Sequence, residues 1–470
     1  MPNRRTFLKT AALSTAAFLG GGIHCSGSKR RPNIIFLLTD DQRWDMLGCM
    51  GNEIIQTPNI DAMAHDGIIF ENAFVTTAIC CTSRASIFLG QYARRHRIND
   101  FSTDFTAEQL DLSYDMQLKK AGYRVGFIGK YGVGANLPQD VYDYWAGVPG
   151  QPTYENRDKK GDYIHYTQVC KKQAFEFLHG CEPNRPFCLS ISFKAPHVQD
   201  GDPRQFIADP VYDDLYKDIN IPVPKKAHSK YLQAMPSFMQ DEQSMLRVRW
   251  HLRFADPELY QKMVKNYYRL ITGVDVVVGE IRDELDKLGY ADNTVFALLG
   301  DNGFFLGEYG FAGKWYGHEE SIRVPLVVYD PRLPKKRRGQ RRGEMVLNID
   351  IAPTLVDLAG LPVRPEVQGE SLLPLVQDQK STWRDEFFYE HLFKVPEKSV
   401  AQVGYIPSSV GLRTKKFKYL RYIDYDPIYE ELYDLQKDPE EIETQVNNPE
   451  YADVLEQLRR RCDEMIQENN

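Results

Sequence analysis

One pattern occurs twice and restricts the fold more than any other. "NIIFLLTDD" places an unbroken apolar run, Ile34 to Leu38, ahead of Asp40 and Asp41, and "NTVFALLGDN" places Val295 to Leu299 ahead of Asp301 and Asn302. Apolar runs of this length, bounded by turn residues, predict strands buried on both faces, because a strand with one face in water alternates. Two more runs end in polar groups in the same manner, "YRVGFIGKYG" at Lys130 and "PFCLSISFKAPH" near His197. Helical patterns alternate with these strands around residues 61–67, 82–89, 113–121, 167–178 and 258–288. The alternation predicts an α/β fold, a large mixed, mostly parallel sheet with helices on both faces. Open sheets of this kind place ligands beyond the carboxyl ends of their strands, which makes the polar strand ends the candidate site.

The chemistry of those ends is specific. Asp40, Asp41, Asp301 and Asn302 are all hard oxygen donors. Three carboxylates gathered together repel one another unless a cation neutralises them. An oxygen-only set suits Ca²⁺ or Mg²⁺ and not Zn²⁺. A single Asp-Asp pair is as readily a helix cap or a turn; a second acidic pair after a second buried strand favours a metal. The stretch "CCTSRASIFLG" puts Cys80 and Cys81 ahead of Thr82, Ser83 and Arg84, with Thr82 and Ser83 expected to cap a helix that Arg84 begins. A thiol there sits in positive potential, which lowers its pKa and favours bound anions. A buried structural pair or a vicinal disulfide fits the same stretch equally well. Lys130 and Lys314 (in "GKWYGHEESIRVPL") each read alone as surface lysines. With Arg84 they make a triply cationic pocket suited to a tetrahedral anion, phosphate or sulfate. His197 could supply a proton to a leaving oxygen.

The net charge of −7 argues against a general binder of nucleic acid or membrane surfaces. Residues 1–28 read as an export signal: Arg4, Arg5 and Lys9 precede a short apolar stretch, too short for a membrane span. Arg4-Arg5 before Phe7-Leu8-Lys9 has the look of a twin-arginine signal, with an ordinary signal as the alternative. The expected location is periplasmic or secreted. Lipoprotein attachment at Cys25 fits poorly after His24. Eight cysteines in 470 residues are not a disulfide scaffold, although Cys170, Cys181 and Cys188 could include one bridge; Cys49 and Cys462 read as plain thiols. Residues 29–380 would form the α/β domain, with residues 200–246 a lid or substrate wall. The basic run "LPKKRRGQRRGE" reads as a solvated loop, or as a contact for an acidic polymer. Residues 381–470 carry short aromatic strands, "EFFYEH", "VGLRTKKFKYLRY" and "EELYDL", predicting a small antiparallel sheet closed by a terminal helix.

From Pro32 to about Pro449 the chain resembles a type I sulfatase of the alkaline-phosphatase-like superfamily. "CCTSRASIFLG" is similar to the family's Cys-x-Pro-Ser-Arg signature, with Cys80 in the nucleophile position. "NIIFLLTDD" and "LLGDNG" resemble its metal-binding segments, "GKYG" its Gly-Lys-Trp-His segment, "KAPH" its Ala-Pro-His segment, and "GKWYGHEESIRVP" its later lysine segment. "IDIAPTLVDLAG", "QGESLLPL" and "ELYDLQKDPEE" resemble its C-terminal half.

The resemblance implies that a maturation enzyme oxidises Cys80 to formylglycine. A hydroxyl of the hydrated aldehyde then attacks a sulfate ester. The residue at 80 joins Asp40, Asp41, Asp301 and Asn302 around Ca²⁺, preferred over Mg²⁺. Arg84 polarises the hydrate, Lys130 and Lys314 bind sulfate oxygens, and His197 protonates the departing alcohol. The expected substrate is a sulfated carbohydrate. The expected partners are the maturation enzyme and the export machinery, with no nucleic acid and no stable membrane span. Two departures stand out: Thr82 replaces the usual Pro, and Gly132 stands where the family carries a His that contacts the formylglycine hydroxyl. Lys194 adds a cation expected near the mouth of the site. The alternatives are a phosphonate or phosphate ester hydrolase on the same scaffold, and a catalytically silent relative that binds sulfated glycans.

Overall fold

A computed structural model describes residues 30–379, 382–395 and 397–469. The expected leader, with Arg4, Arg5, Lys9 and Cys25, lies outside these residues, as does the 380/381 boundary. Eight strands form one sheet: β1 (Asn33–Asp40), β2 (Ile68–Phe74), β3 (Arg124–Lys130), β4 (Tyr144–Val148), β5 (Phe187–Pro196), β6 (Thr294–Gly300), β7 (Arg323–Tyr329) and β8 (Gln340–Leu347). Their order is β8-β2-β7-β6-β1-β5-β3-β4, and only β7 runs antiparallel to its neighbours. The longer helices are α1 (Pro58–His65), α2 (Cys80–Leu89), α3 (Tyr114–Lys120), α4 (Tyr166–His179), α5 (Met245–Arg253), α6 (Pro257–Lys287), α7 (Ile351–Leu358) and α8 (Ala452–Glu468).

The unbroken apolar runs have the expected cause. Ile34, Phe36 and Leu38 of β1 enter one core with residues of α2, α3 and α7. Ile35 and Leu37 enter a second core with α1, α4 and α6. Each such side chain contributes about 1.5–3 kcal/mol by leaving water, so both faces of β1 require apolar residues. The helix of 31 residues, α6, starts where Asp256 accepts the Leu259 N–H at 2.9 Å, with Pro257 in the first turn.

Register positions the acidic ends. β1 pairs in parallel with β6, Thr39 opposite Gly300, so Asp40–Asp41 and Asp301–Asn302 leave the sheet side by side. On its other edge Asp40 pairs with Pro196, one residue before His197. β3 pairs Gly129 with Ser192, which delivers Lys130 at the same end.

Four strands, β9 (Glu386–His391), β10 (Ser409–Thr414), β11 (Phe417–Tyr422) and β12 (Tyr429–Asp434), form the smaller antiparallel sheet, and α8 follows. This sheet shares the α2-side core with the large one, as the Phe74 and Phe387 rings, 5.1 Å apart, illustrate.

Two expectations are corrected. α2 begins at Cys80 and not at Arg84; its N-cap is Ile79, with no side-chain cap, and Thr82 and Ser83 lie inside the helix. Cys170, Cys181 and Cys188 form no bridge and are free. Cys188 packs in the core on one face of the sheet, whereas Cys170 and Cys181 pack on the other. Cys170 and Cys181 are also separated by most of α4, about 16 Å at the helical rise, far beyond disulfide reach.

Candidate active site

Asp40, Asp41, Asp301 and Asn302 are all fully or almost fully buried, and they are in contact. The Asp41 N–H donates to Asp301 Oδ1 at 3.1 Å, and Asn302 Nδ2 donates to Asp41 Oδ1 at 2.7 Å. Asp41 itself adopts φ 65°, a left-handed conformation that Asp tolerates better than most residues. Each expected cation meets one of these carboxylates. Lys130 Nζ donates to Asp40 Oδ2 at 2.6 Å, Arg84 Nε donates to Asp301 Oδ2 at 2.8 Å, and Lys314 Nζ donates to Asp41 Oδ1. Arg84 Nη2 stands 3.7 Å from Asp40 Oδ2, while Nη1 donates to the Lys130 carbonyl at 2.6 Å and to Ser192 Oγ. The His197 ring is fixed through Nδ1, 2.7 Å from the Val198 carbonyl, and Nε2 lies 3.5 Å from Asp41 Oδ2.

These contacts explain the acidities. Burial works to raise the Asp40 pKa, but Lys130, His197, Arg84 and Lys314 together hold it well below the usual carboxylate range. Asp301 goes the other way: burial and the Asp40 charge push it up to about 6, against the pull of Arg84, Lys130 and Lys314. His197 is lowered by burial, with Asp40 and Asp41 opposing. Lys314 is raised despite its burial, chiefly by Asp41.

The donor set fits a hard divalent cation. Buried Asp40 Oδ1 and Asn302 Oδ1 have no hydrogen-bond partner, a costly state that an ion would relieve. The three carboxylates are matched by three cations, Arg84, Lys130 and Lys314. A divalent ion would leave an excess of two positive charges, of which a sulfate ester balances one and released sulfate or a phosphate ester dianion both. Asp40, Asp41 and His197 also offer ligand atoms within 4.8 Å of one another. That geometry brings His197 to the edge of the same cluster, although His197 was expected only as a proton donor.

Cys80, buried at the start of α2, lines a cavity of about 510 Å³ together with Lys130, His197 and Lys314. Cys81 is buried and free, and burial beside Cys80 pushes its thiol up to about 12, the opposite of an activated nucleophile. Gly132 lines the cavity at φ 76°, and a Cβ there would come within 2.7 Å of Arg84 Cδ. The missing side chain is thus the space that Arg84 occupies.

Sequence reasoning missed Gln151, whose Nε2 donates to Asp40 Oδ2 at 3.0 Å from a loop without regular structure. Its only signal was proximity to a strand end. Lys194 is corrected: it does not line the cavity but is buried over the Tyr154 ring and donates to the Pro152 carbonyl at 2.5 Å. Of the 200–246 excursion, Asp200 and Met245 line the cavity, and Arg249 lines it from just beyond. The loop expectation for the basic run is corrected in its second half: from Gln340 the run belongs to β8, where Arg341 pairs with Glu71 and Arg342 with Asp378.

The chain resembles known proteins over most of its length. Residues 32–361 match the family model described as Sulfatase, and residues 307–468 match the one described as N-sulphoglucosamine sulphohydrolase, C-terminal. An N-acetylglucosamine-6-O-sulfatase of Bacteroides thetaiotaomicron is 28% identical, the match covering 93% of this chain and 86% of that protein. An arylsulfatase of Clostridium perfringens is 29% identical over 92% of this chain and 93% of that protein. A solved structure of a protein in complex with its substrate D-glucosamine-2-N,6-O-disulfate superposes with a TM-score of 0.78 at 26% identity, covering 93% of this chain and 98% of that one. A buried acidic cluster at the ends of two adjacent parallel strands, three cations turned onto it, and a family match over most of the chain lead to one conclusion: the protein belongs to the sulfatase family of the alkaline-phosphatase-like superfamily and is a sulfuric ester hydrolase.

Proposed function

We propose that the protein is exported and removes sulfate from sulfated carbohydrate, using a formylglycine made from Cys80 and a bound Ca²⁺. The observation that carries this reading is the convergence of Asp40, Asp41, Asp301 and Asn302 with Arg84, Lys130 and Lys314 around the cavity that Cys80 lines. By their names, the relatives above include enzymes of sulfated sugars, which supports the substrate class. The twin-arginine pattern at Arg4-Arg5 supports export, and no helix among the described residues is long and apolar enough to cross a membrane.

Asp40, Asp41, Asp301 and Asn302 would hold the ion, with the group at position 80 completing the set. The ion supplies Lewis-acid charge, and formylglycine supplies a hydrated aldehyde hydroxyl as nucleophile. Lys130 and Lys314 bind and neutralise the non-bridging sulfate oxygens. Arg84, clamped by Asp301, the Lys130 carbonyl and Ser192, orients the group at position 80. His197, its ring held by the Val198 carbonyl, would donate from Nε2 to the departing alcohol oxygen in its imidazolium form, which Asp40 and Asp41 favour against burial.

The test is sulfate release from a panel of sulfated mono- and oligosaccharides by protein coproduced with a formylglycine-generating enzyme. Release that stops on chelation, returns with Ca²⁺ and is absent in Asp301→Ala supports the reading. A matured protein that releases no sulfate from any member of the panel contradicts it.

A further inference from the structure

The cavity holds one charged group that this chemistry does not use. Arg249, on α5, lines the same cavity as Cys80 and Lys314. Its guanidinium lies 5.1 Å from the centre of the Trp315 ring. Trp315 directly follows Lys314 and is held at φ 87°, which ties Arg249 to the wall beside the reacting cluster. Among the described residues, the carboxylate facing Arg249 is Asp200, whose Oδ1 stands 3.6 Å from Nη1. That separation is an ion pair without a good hydrogen bond.

Asp200 is also shared. The same Oδ1 stands 3.6 Å from Nη2 of Arg253, one helical turn along α5. Arg253 is buried, and its Nη1 has no partner. Burial, then the like charge of Arg249, lower the Arg253 pKa to about 9. Two guanidinium groups thus draw on one carboxylate, and a positive charge is left over at the cavity wall. The Arg249 side chain is 20% exposed, and a sugar filling the cavity would cover it. A charged group with its donors then stripped of water needs an anionic partner.

We propose that Arg249 forms a second anion subsite, so that the preferred substrate is a sugar carrying another acidic group, a carboxylate or a second sulfate, besides the sulfate ester that is cleaved. This rests on the sulfatase reading above and deepens it. Trp315 keeps the guanidinium plane in place, and Asp200 limits how strongly the arginine holds a product. The fork geometry of arginine suits either oxyanion.

The experiment measures binding, so that it does not depend on turnover. Protein with Cys80→Ala is titrated calorimetrically with three matched sugars: one with a single sulfate ester, one with that ester and a carboxylate, and one with that ester and a second sulfate. At least one doubly acidic sugar is expected to bind about 10- to 100-fold more tightly than the singly sulfated one, the range of a charge-assisted hydrogen-bonded pair. The two doubly acidic arms show which oxyanion the subsite takes. Arg249→Ala should collapse that ratio to within about threefold of unity, Arg249→Lys should keep part of it, and Asp200→Asn should increase it. No preference for a second acidic group in the parent, including no measurable binding, overturns the proposal, as does a preference that survives Arg249→Ala. Turnover of the singly sulfated sugar by protein retaining Cys80 and coproduced with a formylglycine-generating enzyme is scored separately, and its absence counts against the sulfatase reading alone.

Discussion

At the scale of single residues, neighbouring side chains of one type have opposite fates. Cys80 faces the cavity, whereas Cys81 is buried with its thiol pushed up to about 12. Cys80→Ala is expected to lower kcat by at least about a thousandfold, the scale of losing a nucleophile. Cys81→Ala is expected to retain turnover and to cost about 1 kcal/mol of stability for a small buried void, read by urea denaturation. The adjacent sulfurs could not be told apart by burial from sequence; only the register counted back from Arg84 separated them. Gly132 was legible as a departure but not as a cause. Its φ of 76° and the 2.7 Å approach of a Cβ to Arg84 Cδ make it a packing requirement. Gly132→Ala should therefore cost about 1–2 kcal/mol and reduce kcat as well, because Arg84 must move. A variant with full stability and full kcat would count against that reading.

At the scale of elements, the strands were the most legible part. Burial on both faces leaves an apolar run that no helix boundary interrupts, and the parallel register then delivers the acidic ends together. The start of α2 was misplaced because Thr82 and Ser83 are good capping residues, yet the helix begins uncapped at Cys80. Its far end has a device that sequence does not display. His96 Nε2 lies 3.0 Å from Ser86 Oγ on α2, and His96 Nδ1 accepts the Ile98 N–H at 3.1 Å. The ring is neutral in this arrangement, and burial lowers its pKa to about 3 from an ordinary 6.5. Between these values the unfolded chain binds the extra proton. The contribution of His96 to stability is therefore complete above pH 6.5 and is lost as pH falls towards 3. Between pH 7 and pH 5 the wild type should lose about 2 kcal/mol more than His96→Gln, measured by urea unfolding at both values. Equal losses would show that the ring does not titrate in this way.

At the scale of the whole molecule, the C-terminal sheet is bound into the catalytic architecture. Buried Lys418 of β11 pairs with Glu319 at 2.9 Å and with Glu441, and Glu319 follows the loop that carries Lys314. Removing one partner of such a buried group is strongly destabilising, about 3–5 kcal/mol. Lys418→Ala should show that loss in denaturation, together with a lower kcat, since Lys314 depends on the same loop. The texture change near residue 381 made the smaller sheet visible in sequence. That the sheet shares a core with α2 was not visible, because long-range packing leaves no local pattern. The buried acidic cluster has a further molecular consequence. Ca²⁺ at about a hundred times its dissociation constant should stabilise the folded chain by about 2.7 kcal/mol, and Asp301→Asn should lose most of that gain. A thermal midpoint indifferent to Ca²⁺ would count against the ion.

The most direct test is the mass of the peptide spanning residue 80, taken from protein coproduced with a formylglycine-generating enzyme and assayed in parallel for sulfate release. That peptide is expected to have lost H₂S and gained one oxygen, with the converted fraction rising in step with specific activity. An active preparation in which the thiol at residue 80 is intact would contradict that expectation.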